Sequence, residues 1–220
     1  MLALAAASVL SGCASKQSTG PVFVMGQEGA IARARADSLR YPYTQADIDF
    51  MNGMIHHHAQ AITISRWAAT HGADAAVQRL AARIINAQSD EIKLMQTWLG
   101  DRNRVPPHVD STGNVHDVAE TGHEGHDMSG HGAMMPGMLT EMQLKELDAA
   151  RGREYDRLFL TYMMAHHRGA ILMVEKLFSS PGAGQDETVF KFANDVEVDQ
   201  GTEIKRMLTM MLEMGFAPPS

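Results

Sequence analysis

A chain of 220 residues with a net charge of −7 can bury one good core, and its mild acidity lacks the basic cluster that would hold nucleic acid or anionic lipid. One cysteine excludes an intramolecular disulfide. Seventeen methionines are many, and they serve either as flexible filler between helices or as soft thioether donors.

The first residues form an apolar stretch that ends in Leu10-Ser11-Gly12-Cys13. Small residues leading directly into a cysteine, with a Ser/Thr-rich tether after it, resemble a bacterial lipobox, in which the cysteine becomes the lipidated first residue. Residues 1–13 are therefore expected to be a signal with Cys13 as the lipidation site, which places the chain outside the cytoplasm on a lipid anchor. Residues 14–41 read as tether with a short helix in "EGAIARARADSLR".

Residues 42–100 read as a first helical hairpin. Thr44 is a good N-cap with Asp47 three residues on, and Phe50, Met54, Ala61, Ile62 and Ile64 keep helical spacing towards His71. Gly72 is the natural stop. A second helix from about Asp74 to Leu99 carries Val77, Leu80, Ala81, Ile84, Ile85, Gln88, Ile92 and Met95 on one side. Residues 101–139 change character: prolines, glycines, histidines and methionines dominate and no period is visible. Residues 140–215 form a second hairpin. Thr140 and Gln143 suggest a capping box, Gly152 a kink or division, and helices run from about Glu154 to Phe178 and Asp186 to Met214.

The two hairpins carry the same markings. With a shift of 109, Asp47, Phe50, Met54, His57, His58, Ala61 and Ile62 fall on Asp156, Phe159, Met163, His166, His167, Ala170 and Ile171. With a shift of 112, Gln88, Glu91, Ile92 and Met95 fall on Gln200, Glu203, Ile204 and Met207. Two such hairpins bury their stripes most simply as an all-α four-helix bundle with a pseudo-twofold axis.

Residues three and four apart share a helix face, so Met54 lies under His57 and His58, and Met163 under His166 and His167. Facing hairpins would add Glu91, Met95, Glu203 and Met207. Imidazole suits copper, zinc, iron and nickel, and thioether selects Cu(I). The competing reading is that the histidines are core residues bonded to the two glutamates. His56 has no counterpart and is peripheral, and His71 belongs to a helix end. In the linker, His108, His116, His123, His126 and His131 alternate with Gly and Asp, and Met128, Met134, Met135 and Met138 are interleaved or follow. Such a tract does not build a core but can wrap an ion, and the methionines move the preference towards copper, with zinc as the alternative.

The repeated "F-x3-M-x2-HH-x2-AI", followed by "Q-x2-EI-x2-M", resembles the bacterial family catalogued as domain of unknown function 305. The resemblance covers residues 42–214 outside the linker. It implies a ferritin-like four-helix bundle exported from the cytoplasm, and some members bind copper in the periplasm and support copper resistance. Three functions follow as expectations. The first is a lipid-anchored copper buffer or chaperone, with metal ions and other copper-handling proteins as partners. The second is a ferritin-like di-metal oxidase, which needs Glu-x-x-His on two helices. The only Glu-x-x-His is Glu120–His123, in the linker, and the chain is not expected to be an enzyme. The third is a scaffold whose histidines only fix bundle register.

Overall fold

A computed structural model describes residues 26–32, 42–116 and 135–219. The lipobox around Cys13 and the linker residues His123, His126, Met128, His131 and Met134 lie outside them. Residues 26–32 are helical and belong to a separate unit; the bundle lies within residues 37–220. Among the described residues, no helix is long and apolar enough to cross a membrane.

The fold is an all-α four-helix bundle. Helix α1 spans Gln45–Arg66 and α2 spans Ala75–Gly100. A two-residue-per-strand hairpin follows, β1 (His108–Val109) antiparallel to β2 (Val115–His116). Helix α3 spans Glu141–Ala149, α4 Gly152–Ser179 and α5 Glu187–Glu213. Helices α1 and α2 pack as one hairpin, α4 and α5 as the other, and α1 lies against α4.

Local chemistry explains the starts. Thr44 and Asp47 close a capping box on α1, and Thr140 and Gln143 close one on α3. Asp74 and Asp186 cap α2 and α5 through their carboxylates. The end of α1 differs from the sequence expectation. The α-helix stops at Arg66 and tightens into a 3-10 turn at Trp67–Ala69, so it does not reach His71. The physical reason is tertiary: the His71 ring stacks on Trp67 and its Nε2 bonds to the Asp148 carbonyl oxygen at 2.9 Å, drawing the turn towards α3. The division expected at Gly152 falls just before it. Ala150 and Arg151 are extended, and the Gly152 amide donates to the His71 carbonyl at 2.8 Å. The linker also holds order that periodicity did not show. The Asp110 carboxylate accepts from the Thr112 and Asn114 amides, which turns β1 into β2, and Thr63 Oγ1 fastens the turn to α1 through the Thr112 carbonyl at 3.3 Å.

The core has two apolar clusters. One gathers Ile64, Leu80, Ile84, Phe159, Met163 and Met207. The other gathers Phe50, Met54, Met95, Val174, Val189 and Phe192. Between them along all four helices come His57, His58, Gln88, His166, His167 and Gln200, all buried. The repeated aspartates tie the halves together. Asp47 Oδ1, in the first hairpin, accepts from the Gly184 amide in the turn of the second at 2.7 Å. Asp156, in the second hairpin, accepts from the Asp74 amide in the turn of the first at 3.0 and 3.2 Å. Each hairpin thus latches the other's loop. Replacing Asp156 by Ala orphans a half-buried amide and should lower unfolding free energy by about 1–3 kcal/mol. Urea denaturation measures this, and a loss below about 0.5 kcal/mol would show that the latch does not hold the halves.

Candidate metal centre

The two histidine pairs meet because α1 packs against α4. The rings of His57 and His166 have centroids 3.8 Å apart and planes tilted by 40°. His58 and His167 flank them, 6.5 and 6.4 Å from their sequence neighbours. All four side chains are fully buried. Bringing four imidazoles into a core is unfavourable unless their nitrogens are satisfied.

The ring partners follow one pattern. His58 Nε2 bonds to Glu91 at 2.7 Å, and His167 Nε2 bonds to Glu203 at 2.6 Å. His57 Nε2 bonds to the Pro136 carbonyl oxygen at 3.0 Å. A carbonyl or ionised carboxylate oxygen only accepts, so in these three rings the proton sits on Nε2. In the neutral ring of His57 the Nδ1 atom then presents a lone pair, as the Nδ1 of His58 and His167 does whenever those rings are uncharged. Among the described residues, Nδ1 of His57, His58 and His167 has no partner, and neither ring nitrogen of His166 has one. The side-chain oxygens of Gln88 and Gln200, in the same layer, are also unpartnered. Orphaned polar atoms of this kind are rare in native cores and mark sites that await an explanation.

Electrostatics favours the neutral form of His57 and His166. Burial, followed by the neighbouring His58, pushes the His57 imidazole down to about 3, against the opposing effect of its hydrogen bond to the Pro136 carbonyl. Burial, followed by the charge of His57, holds His166 well below the ordinary histidine value. Neutral imidazole is the form that ligates metal.

The layer is covered on one side by residues 135–139, the returning end of the linker. Besides the Pro136 contact, Leu139 exchanges two hydrogen bonds with the Gln60 side chain, at 2.8 and 3.1 Å. The segment sits close because α4 has Gly169 there: a Cβ at that position would lie 1.9 Å from the Pro136 carbonyl oxygen. Sequence reasoning missed this cover. A backbone carbonyl leaves no mark in the sequence, and the only trace is the glycine beside the second His pair.

The other predicted residues are placed as follows. Met54 and Met95 are fully buried in one apolar cluster and Met163 and Met207 in the other, flanking the histidine layer. Glu91 and Glu203 touch the layer through His58 and His167. His116 stands apart on the β-hairpin, half in contact with His108 and 3.2 Å from Asp110. Met138 lines an open groove with His56, Gln60 and Trp67, of about 420 Å³. Met135 lies over Gly53. Among the described residues, no three His, Cys, Asp or Glu side chains already form a coordination shell.

This duplicated layer matches a known pattern. The family profile for the domain of unknown function DUF305 matches residues 47–211, and the chain belongs to that family. A DUF305 structure from Streptomyces coelicolor aligns with a TM-score of 0.63 at 24% identity, covering 80% of this chain and 97% of that one. CopM in its Cu(II)-bound form aligns with a TM-score of 0.54 at 26% identity, covering 76% of this chain and 96% of CopM. Protein L153 of Acanthamoeba polyphaga mimivirus, itself uncharacterized, is 44% identical over 62 residues; these span 27% of this chain and 41% of that protein.

The buried rings have a pH consequence. Their folded pKa values lie below the unfolded value near 6.5, so the unfolded chain binds more protons as pH falls below 6.5. Metal-free protein should lose stability from pH 6.5 towards pH 4. The loss should be shallower in the His57→Gln/His166→Gln variant. Identical slopes in denaturation measured across that range would show that the two rings do not enter the fold as neutral bases.

Proposed function

We propose that this chain is an exported, lipid-anchored copper-binding protein that buffers copper or passes it to another protein. The observation that carries this reading is the ring pattern. Three buried imidazoles are fixed by acceptors on Nε2 and offer an unpartnered Nδ1. An outer acceptor that orients a histidine and raises its basicity is the second layer expected around a ligated metal. Methionines lie on both sides of the layer, and thioether with imidazole favours Cu(I). Among the family's structural neighbours, CopM is described in Cu(I)-bound and Cu(II)-bound forms, which supports copper as the cargo. Zinc fits the imidazoles but gains nothing from sulfur.

Export and anchoring rest on the Cys13 motif, and binding without catalysis rests on the donor set. The bundle helices carry no Glu-x-x-His, which a ferritin-like di-metal oxidase needs on two of them, and this disfavours that reading. The His/Met-rich linker is read as a second store of donors that feeds the bundle.

Copper at a free concentration 100-fold above its Kd should stabilise the protein by about 2.7 kcal/mol if it binds only the folded state. Replacing His57, His58, His166 and His167 by Ala should abolish the bundle's share of bound copper in an anaerobic Cu(I) titration. Unchanged stoichiometry in that variant would make the four rings structural. Deleting residues 117–134, while keeping the cover at 135–139, should lower the number of ions bound and leave the bundle's helical signal intact. A deletion that binds as many ions as the full chain removes the linker from the donor set.

A further inference from the structure

Met173 carries no role in the reading above, yet its methyl end and the sulfur of Met135 both line the space over Gly53. A Cβ built on Gly53 would lie 3.3 Å from Met135 Sδ and 3.3 Å from Met173 Cε. The two side chains come from different parts of the chain, Met135 from the end of the linker and Met173 from α4. They converge over the glycine one helical turn before His57. The residue after Met135 is Pro136, whose carbonyl holds His57 Nε2. Two independent links, the helical spacing and the Pro136 bond, thus put the thioethers beside the histidine layer. Both methionines are half-buried, whereas the four histidines are sealed from solvent. A donor pair reachable from outside, next to a sealed donor layer, has the arrangement of an outer port.

We propose that Met135 and Met173, meeting over Gly53, form a binding site for a soft monovalent cation, Cu(I) or Ag(I), at the outer edge of the histidine layer. This deepens the copper reading and stands only with it. Soft d10 cations accept low coordination numbers and prefer sulfur, so two thioethers can hold one weakly and release it inward. A methyl group at Gly53 would press on the ends of both methionines, which would have to shift by a few tenths of an ångström. Cu(II) and Zn(II), which favour nitrogen and oxygen, bind the imidazoles without this pair.

The test uses the full chain with ¹³C-methyl-labelled methionine, titrated with Ag(I) under conditions free of chloride. Met135→Leu and Met173→Leu keep apolar volume and remove sulfur, and they assign the two signals. The Met135 and Met173 methyl resonances should shift in the wild-type protein before or together with those of buried methionines. Each Leu variant should bind Ag(I) at least tenfold more weakly at one site while binding Cu(II) as before. If both methyls stay in place at saturating Ag(I), while the four-histidine variant loses binding, the port is wrong and the copper reading survives. If the wild-type protein takes up neither Ag(I) nor Cu(I), both fall. Because the wild-type spectrum is itself diagnostic, a variant that folds poorly does not shelter the proposal.

Discussion

The structure turns on a contact that a core ordinarily avoids: two imidazole rings with centroids 3.8 Å apart in the core of a helical bundle, with two more beside them. Removing four such rings from water is tolerable because three of them place the Nε2 proton on a fixed acceptor. Glu91 and Glu203 reach in from partly exposed positions, with side chains 23% and 26% exposed, so each anion keeps some water while its histidine has none. The geometry that satisfies Nε2 is the same geometry that leaves Nδ1 free. Stability and donor capacity are therefore set by the same bonds.

The remainder of the fold supports that layer. Two apolar clusters lie on either side of it, and the crossed aspartate latches hold the turns at both ends. Duplication supplies the symmetry, and a few residues break it. Tyr155 donates to the Ile64 carbonyl at 2.9 Å, whereas its counterpart in the first hairpin, Ala46, has no hydroxyl. Pro136 ties His57, whereas among the described residues neither ring nitrogen of His166 has a partner at full hydrogen-bond geometry. The two halves of the layer are chemically different although their sequences match, and the linker's returning end makes the difference.

The sequence carried most of the architecture. Periodicity and caps located four helices, and the double repeat identified the histidines that meet and the glutamates that bond them, because helix faces and pairing follow directly from spacing. Other features depend on tertiary contacts and have weak local signatures. The early close of α1 comes from His71 packing on Trp67 and α3. The β-hairpin at His108–His116 rests on one aspartate's side-chain bonds in a segment dominated by breakers. The spacing puts Met54 and Met163 one turn under the paired histidines, and Met54 and Met95 lie in one flanking cluster and Met163 and Met207 in the other. Helical stacking by one turn carries each thioether out of the polar layer and into the apolar slab next to it. Met173 has no signature of its own in the sequence, since what gives it significance is Met135, distant along the chain.

The central claim is that the Nδ1 atoms of this layer are metal donors. It is tested most directly by long-range ¹H–¹⁵N spectra of the histidine rings, recorded with and without one equivalent of Cu(I). The account predicts that the Nδ1 resonances of His57, His58 and His167 move while their Nε2 atoms stay protonated. Spectra in which the four core rings are unchanged, with all Cu(I) taken up elsewhere in the chain, would contradict it.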